Sequence, residues 1–281
     1  IVTVFLRTHY PYSGTEEIMG TKLERIAEIS AETKKPVFTS IYHLINAELL
    51  KQCHKELDGK KAVGVDKVTK EEYGKNLDRN IEDLVQRLKN KSFKPLPSLR
   101  VYIPKGNGKM RPLGIASYED KIVQMAVKKV LEAIYEPRFL NCMYGFRPNR
   151  GCHEAVKEVY QRISYGKISY IVDADIKGFF DNVNHSKLIR QIWSLGIHDK
   201  TLIFIIKRIL TAPIKMPDNT TVLPNKGTPQ GGIISPLLAN IVLNELDWWI
   251  ASQWEENPIA ISRGRERIIG KTKVFDKSHG Y

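Results

Sequence analysis

Two acidic residues, Asp173 and Asp175, interrupt the apolar run that opens SYIVDADIKGFFDNVNH, residues 169–185. Side chains alternate in a strand, so Asp173 and Asp175 would share one face with Ser169 and Ile171, opposite Tyr170, Val172 and Ala174. Burying a carboxylate among such neighbours is costly unless something compensates it. Asp175 falls at the end of the run, one residue before Lys177-Gly178-Phe179-Phe180. An acid at a strand end that opens into a site suits Mg2+. That ion takes one or two protein carboxylates and completes its shell with water and substrate phosphate. The alternative is that both acids pair with basic neighbours at a sheet edge.

Two further stretches carry chemistry. YIPKGNGKMRPLGI places Lys105 and Arg111 on either side of a glycine turn. Folded as a hairpin, it would present both to a phosphate chain, Arg as a bidentate grip and Lys as a point charge. The Walker pattern is absent, and an exposed lysine-rich hairpin can equally be a solvated edge. KGTPQGGIISPLLANI sets two glycines after Pro229-Gln230, which lets backbone approach a ligand while the Gln230 amide meets a sugar or base. Taken alone, this loop also fits a plain glycine-rich entry to a helix.

The charge balance favours a polyanionic partner. Lys and Arg number 44 against 31 Asp and Glu, a net +13, and the cations are clustered. Arg87, Lys89, Lys91, Lys94, Arg100, Lys105, Lys109 and Arg111 follow one another without an intervening acid. A solvated helix face normally mixes signs, so this segment reads as a nucleic-acid or polyphosphate surface. The 3 cysteines are scattered and form no C-x-x-C pair, which argues against a disulfide framework or a zinc site and suits a reducing compartment. No apolar run approaches the roughly 18 residues of a membrane span. IVTVFLRTHY lacks an initiator Met and does not read as a signal peptide.

These residues need elements to hold them. Residues 1–36 read as irregular apart from one helical patch at TKLERIAEIS. An amphipathic helix is expected from Phe38 onward, with Ile41, Leu44, Ile45, Leu49 and Leu50 as its stripe, and another through NLDRNIEDLVQRLKN. LRVYIPKGNGKMRPLGIA reads as two strands about an Asn-Gly turn. Ser117 with Asp120 resembles a capping box and opens a helix that stops before Pro137. A loop runs from Cys142 into a helix, the apolar strand follows, and then two helices, a second hairpin from Ile214 to Leu223, and a long helix with Ser235 as N-cap and Pro236 first. Asn257 to Tyr281 reads as a basic loop. The class is α+β without a regular βαβ rhythm.

Taken in order, IPKGNGKMRPLGI, FRPNRGCHEAV, DADIKGFFDNVNH and GTPQGGIISPLLANI resemble the successive blocks of reverse transcriptases. The nearest resemblance is to the reverse transcriptase–maturases encoded by bacterial and organellar group II introns, with AVGVDKVT upstream also typical of them. The resemblance covers residues 38–255. It implies a right-hand polymerase fold: an N-terminal extension at 1–36, fingers at 37–165, an incomplete palm at 166–255 with some finger elements, and a basic loop at 256–281, the thumb absent. It also implies a cytoplasmic or organellar-matrix location.

The resemblance assigns roles position by position. Asp175 matches the first catalytic aspartate, binding two Mg2+ ions together with the Ile176 carbonyl. Phe180 matches the gate that clashes with a ribose 2′-hydroxyl, and Lys105, Arg111 and Gln230 match residues that hold the incoming dNTP. Arg147 and Arg150 fall near the template path; the clustering of charge, not the resemblance, adds Arg87, Lys89, Lys91 and Lys94 as RNA contacts. Asp173 reads as a structural acid, and Asp181 as bonding at the start of the following helix. The implied partners are group II intron RNA, an RNA template with a DNA primer, and dNTPs. The Y-x-D-D tetrapeptide carrying the family's other two aspartates does not occur in the sequence, so a partial polymerase, inactive alone, is expected. A splicing maturase with a degenerate site, or a retron-type or diversity-generating enzyme, stands as the alternative.

Overall fold

The computed structural model describes residues 14–104, 106, 108, 110–165, 171–229 and 231–255. Its centre is a helix buried nearly all round, α5 (Tyr118–Tyr135), whose Ile122, Val123, Ala126, Val127, Val130, Leu131 and Ile134 are enclosed. A helix with apolar residues on every side needs neighbours on every side. They are α1 (Gly14–Glu32), α2 (Ala47–Glu56), α9 (Lys200–Leu210) and α10 (Ser235–Ile250). The short α3 (Lys70–Gly74) and α4 (Leu77–Lys89) close one flank, α4 burying Ile81, Leu84 and Leu88 on a single stripe. Among the described residues the remaining α-helices are α6 (Cys152–Tyr165), α7 (Phe179–Asn182) and α8 (His185–Ser194).

Among the described residues the strands form one four-stranded sheet in the order β2-β1-β3-β4. β1 (Ser98–Pro104) and β2 (Met110–Ile115) are the expected hairpin, antiparallel with Ile103 opposite Arg111. The second hairpin, β3 (Ile214–Lys215) and β4 (Thr221–Val222), joins it through a parallel pairing of β1 with β3.

Caps set the element boundaries. Ser117 caps α5 as the sequence suggests, accepting from Asp120 N–H at 3.2 Å and donating to the Asp120 carboxylate at 2.6 Å. The same carboxylate accepts Leu96 N–H at 3.0 Å, so the residue that starts α5 also fixes the approach to β1. Asp199 does double duty at α9. Its Oδ1 accepts from Thr201 and Leu202, and its Oδ2 accepts from Ile41 and Tyr42.

Four expectations are corrected. The helix expected from Phe38 begins only at Ala47. Asn46 accepts Leu49 N–H there and caps a new start, while Tyr42–Leu44 is a single 3-10 turn. The N-terminal stretch is more regular than expected, because Leu23, Ile26 and Ile29 of α1 pack on the core. Ser235 is not the N-cap of α10 but its first residue, and its hydroxyl donates to the Pro229 carbonyl at 2.6 Å. Most consequential, Ile171–Ile176 is not a strand. A strand exists only with a ladder partner, and none pairs with these residues among those described. Ile171 and Val172 are 68% and 90% exposed. α6 is in the same condition, with Val156, Val159, Tyr160 and Ile163 all exposed at helical spacing. Ser169 and Tyr170, residues 1–13 and residues 256–281 lie outside the described residues.

Candidate active site

The loop after β4 is the hinge of the site. Gly227 N–H donates to the Val183 carbonyl and Thr228 N–H to the Phe180 carbonyl, each at 2.7 Å. His185 Nε2 donates to the Gly227 carbonyl at 2.7 Å, and Lys226 reaches Asn182 Oδ1 at 2.8 Å. Gly227 adopts φ +86°, and a Cβ there would stand 3.0 Å from the carbonyl oxygens of Phe180 and Asp181. The position therefore needs glycine for conformation and for close approach.

A few residues on, the same loop meets the other side of the site. Gly231, at φ +92°, lies against the Gly114 backbone of β2. Ile233 N–H donates to Gln124 Oε1 of α5 at 3.0 Å. A Cβ at Gly232 would come within 2.8 Å of Ser235 Oγ and 3.1 Å of Gln124 Oε1. The segment Lys226–Ile233 is thus stitched to α7 at one end and to β2 and α5 at the other. It brings Phe180, the hairpin that carries Arg111, and the two neighbours of Gln230 to one place. Gln230 itself, like Lys105, lies outside the described residues.

Phe180 is half-buried at the start of α7, with its ring edge-on to Phe179 and Phe146 at centroid distances of 6.0 and 6.4 Å. Gly178, at φ +61°, turns the chain into α7. Arg111 is exposed near the tip of the hairpin. Asp173, Asp175 and Ile176 lie on the exposed segment before Gly178, and no described residue pairs with Asp175. Among the described residues no group of three acidic, histidine or cysteine side chains converges as a metal cage would require.

The arginines divide by burial. Arg147 is 8% exposed and fully occupied within the protein. Its guanidinium pairs with Glu136 at 2.8 Å, donates to the Leu140 and Met143 carbonyls, and lies 5.4 Å over the Phe139 ring. The expected phosphate contact of Arg147 is revised accordingly: it clamps the loop between α5 and α6. Arg87 is similarly committed, to Asp83 at 2.7 Å and Glu119 at 2.8 Å, and these acids raise its pKa. Arg150 donates to Asn141 and lies 5.5 Å over the Tyr144 ring. Lys89, Lys91 and Lys94 are exposed cations.

Three positioning residues escaped the sequence reading. Gln124 carries a signal in hindsight, being a polar residue on the buried face of α5. Gly227 and His185 carry none, since their role depends on two loops meeting. Gly64 of the GVD block is a fourth contact of this kind. A Cβ there would stand 2.5 Å from Ser117 Cα, so that block presses on the start of α5.

Comparison with known proteins agrees with this order of blocks. The reverse transcriptase (RNA-dependent DNA polymerase) family matches residues 103–263. The chain is 39% identical over 230 residues to the group II intron-encoded protein LtrA of Lactococcus lactis subsp. cremoris, an alignment covering 81% of this chain and 38% of LtrA. It is 40% identical over 190 residues to an uncharacterized 91 kDa protein in a cob intron of Schizosaccharomyces pombe, covering 66% of this chain and 23% of that protein. With the putative COX1/OXI3 intron 1 protein of Saccharomyces cerevisiae the identity is 32% over 206 residues, covering 69% and 24%. The chain therefore spans well under half the length of these relatives. With its polymerase blocks in sequence and its likeness to intron-encoded proteins, the chain belongs to the reverse transcriptase family, in the group II intron-encoded reverse transcriptase/maturase branch.

Proposed function

We propose that this chain supplies the fingers, residues 37–165, and the first part of the palm, residues 166–255, of an RNA-directed DNA polymerase that also binds its intron RNA to assist splicing. Residues 1–36 would be an N-terminal extension and 256–281 a basic continuation. The observation that carries this reading is the stitching of Lys226–Ile233 to Phe180 on one side and to β2 on the other. A dNTP lying across that junction would meet the roles the family blocks imply. Lys105 and Arg111 bind its triphosphate, the cation and the fork dividing the phosphate oxygens between them. Gln230 contacts the nucleotide from the loop. Phe180 fills the space a 2′-hydroxyl would need. Its backbone cannot retreat, because its carbonyl is held by Thr228.

The donor set fits Mg2+ in part. Asp175 offers an exposed carboxylate that pairs with no described residue and Ile176 a carbonyl, which match one edge of an oxygen shell completed by water and phosphate. Further carboxylates for a pair of ions would have to come from outside the described residues. When bound, the ions supply activation of the primer 3′-hydroxyl and neutralisation of the leaving pyrophosphate. Asp175 and Ile176 hold and orient; the hairpin and Phe180 select.

No described helix is long and apolar enough to cross a membrane. A cytoplasmic or organellar-matrix setting fits the relatives, which are bacterial and mitochondrial intron proteins. RNA binding without polymerisation remains a second reading, favoured by the exposed Lys89, Lys91 and Lys94.

Nucleotide selection separates the two readings. In the proposed intron-encoded polymerase, Phe180→Val should lower the preference for dNTPs over rNTPs about tenfold or more, because the clash with the 2′-hydroxyl is relieved. Primer extension with each nucleotide set measures it. Undiminished preference would sink the gate assignment, and absence of any extension by the parent protein would favour the splicing-only reading.

A further inference from the structure

Away from the nucleotide site, α8 and α9 enclose a groove of about 480 Å3. Lys91, Arg190, Lys200 and Lys207 line it around Trp193 and Phe204. Among the described residues no acid lines the groove. Asp199, next to Lys200, is spent on the backbone amides of Ile41, Tyr42, Thr201 and Leu202. No described residue forms an ion pair with any of the four cations. Their charge is left unneutralised around an apolar floor, an arrangement that suits an anionic ligand with a flat apolar part.

Trp193 has the geometry of a stacking platform. His198 lies against one face at 4.4 Å and 23°, and its Nε2 donates to the Trp193 carbonyl at 3.1 Å, which fixes the imidazole in place. Yet Trp193 remains 41% exposed. With one face covered, that area belongs to the ring edge and the opposite face. An indole held rigid and half in water is an unusual use of so large an apolar side chain, and such residues mark binding surfaces.

We propose that the α8–α9 groove binds single-stranded RNA, with an unpaired base stacked on Trp193 and the flanking phosphates on Arg190, Lys200 and Lys207. Cations combined with aromatic platforms are how proteins hold single strands without reading their sequence. A duplex fits less well, because its bases are already stacked and only an unpaired base can cover the indole. An acidic peptide would use the cations but leave Trp193 bare. Lys91 belongs both to the groove and to the basic segment after α4, so the lysines at 89–94 would lead the strand toward it. This site rests on the RNA-binding part of the proposed function and extends it to a place separate from the nucleotide.

The test uses oligouridine RNA, the same RNA annealed into a duplex, and polyglutamate as competitor, with binding followed by anisotropy over a range of salt. Trp193→Ala should weaken oligouridine about tenfold and leave the duplex nearly unaffected. Lys200→Gln with Lys207→Gln should reduce the magnitude of the salt slope by about 1.4, or about 0.7 for each lost phosphate contact to a single strand. All three positions are exposed, so circular dichroism and Tm should match the parent protein. 4-Thiouridine cross-links should map to α8 or α9. If both variants bind oligouridine with parental affinity and slope and the cross-links fall elsewhere, the groove is wrong while RNA binding stands. If polyglutamate competes as strongly as RNA, the groove reads charge alone and the proposal falls. If the parent protein binds no RNA, the RNA-binding reading falls with it.

Discussion

Arg111 is exposed in the second ladder pair from the turn of the hairpin, opposite Ile103, where its guanidinium can reach a phosphate in solvent. Removing its charge while keeping its polarity isolates the electrostatic part of the grip. Arg111→Gln should raise KM for dNTPs by roughly tenfold, the size of one lost charge-assisted hydrogen bond, with template affinity unchanged. Steady-state extension at varied dNTP reads this directly, and an unchanged KM would remove Arg111 from the nucleotide. Arg147 shows the opposite case. FRPNR puts it beside Arg150 in sequence, but burial turns its guanidinium inward onto Glu136 and two carbonyls. Residue type and spacing carried no sign of this, because what consumes Arg147 is a loop doubling back on itself.

At the scale of elements, two contacts decide how the site is held. Gly227 joins the glycine loop to α7 in a left-handed conformation with two carbonyl oxygens 3.0 Å from where a Cβ would stand. Gly227→Ala should cost about 2 kcal/mol from strain and crowding, lowering Tm by several degrees. A Tm equal to the parent's would show that the loop is looser than this junction implies. Asp120 joins α5 to the approach of β1. Burial raises its pKa from 3.8 to about 7, against the pull of its hydrogen bonds to Ser117 and Leu96. The folded state therefore holds this proton more tightly than the unfolded chain. The resulting stabilisation is complete below about pH 3.8 and is lost as pH rises through about 7. Asp120→Asn keeps an acceptor for Leu96 but removes the charge, so its stability relative to the parent should improve from pH 5 to pH 8. Urea midpoints at the two pH values measure this, and an equal difference at both would contradict it. The Ser117–Asp120 cap was legible because capping is local in sequence. The helix break at Asn46 was not, because Ile41, Leu44, Leu49 and Leu50 keep an apolar rhythm across it and only the cap and Asp199 show where the chain turns.

Over the whole molecule, the order of blocks already implied the family, while the strand expected at Asp175 did not form among the described residues. Alternation of apolar and acidic residues is a local signal, but a strand needs a partner, and none pairs with Ile171–Ile176 among the described residues. Catalysis by the proposed intron-encoded polymerase would then depend on further carboxylates that meet Asp175. The most direct measurement is primer extension on an RNA template by that polymerase with Asp175→Ala, alongside its affinity for intron RNA. Extension should be abolished while RNA affinity stays within about twofold, since Asp175 acts on the metal and the cations act on phosphate. Persistent extension by Asp175→Ala would contradict the assignment of this residue and of the site built around it.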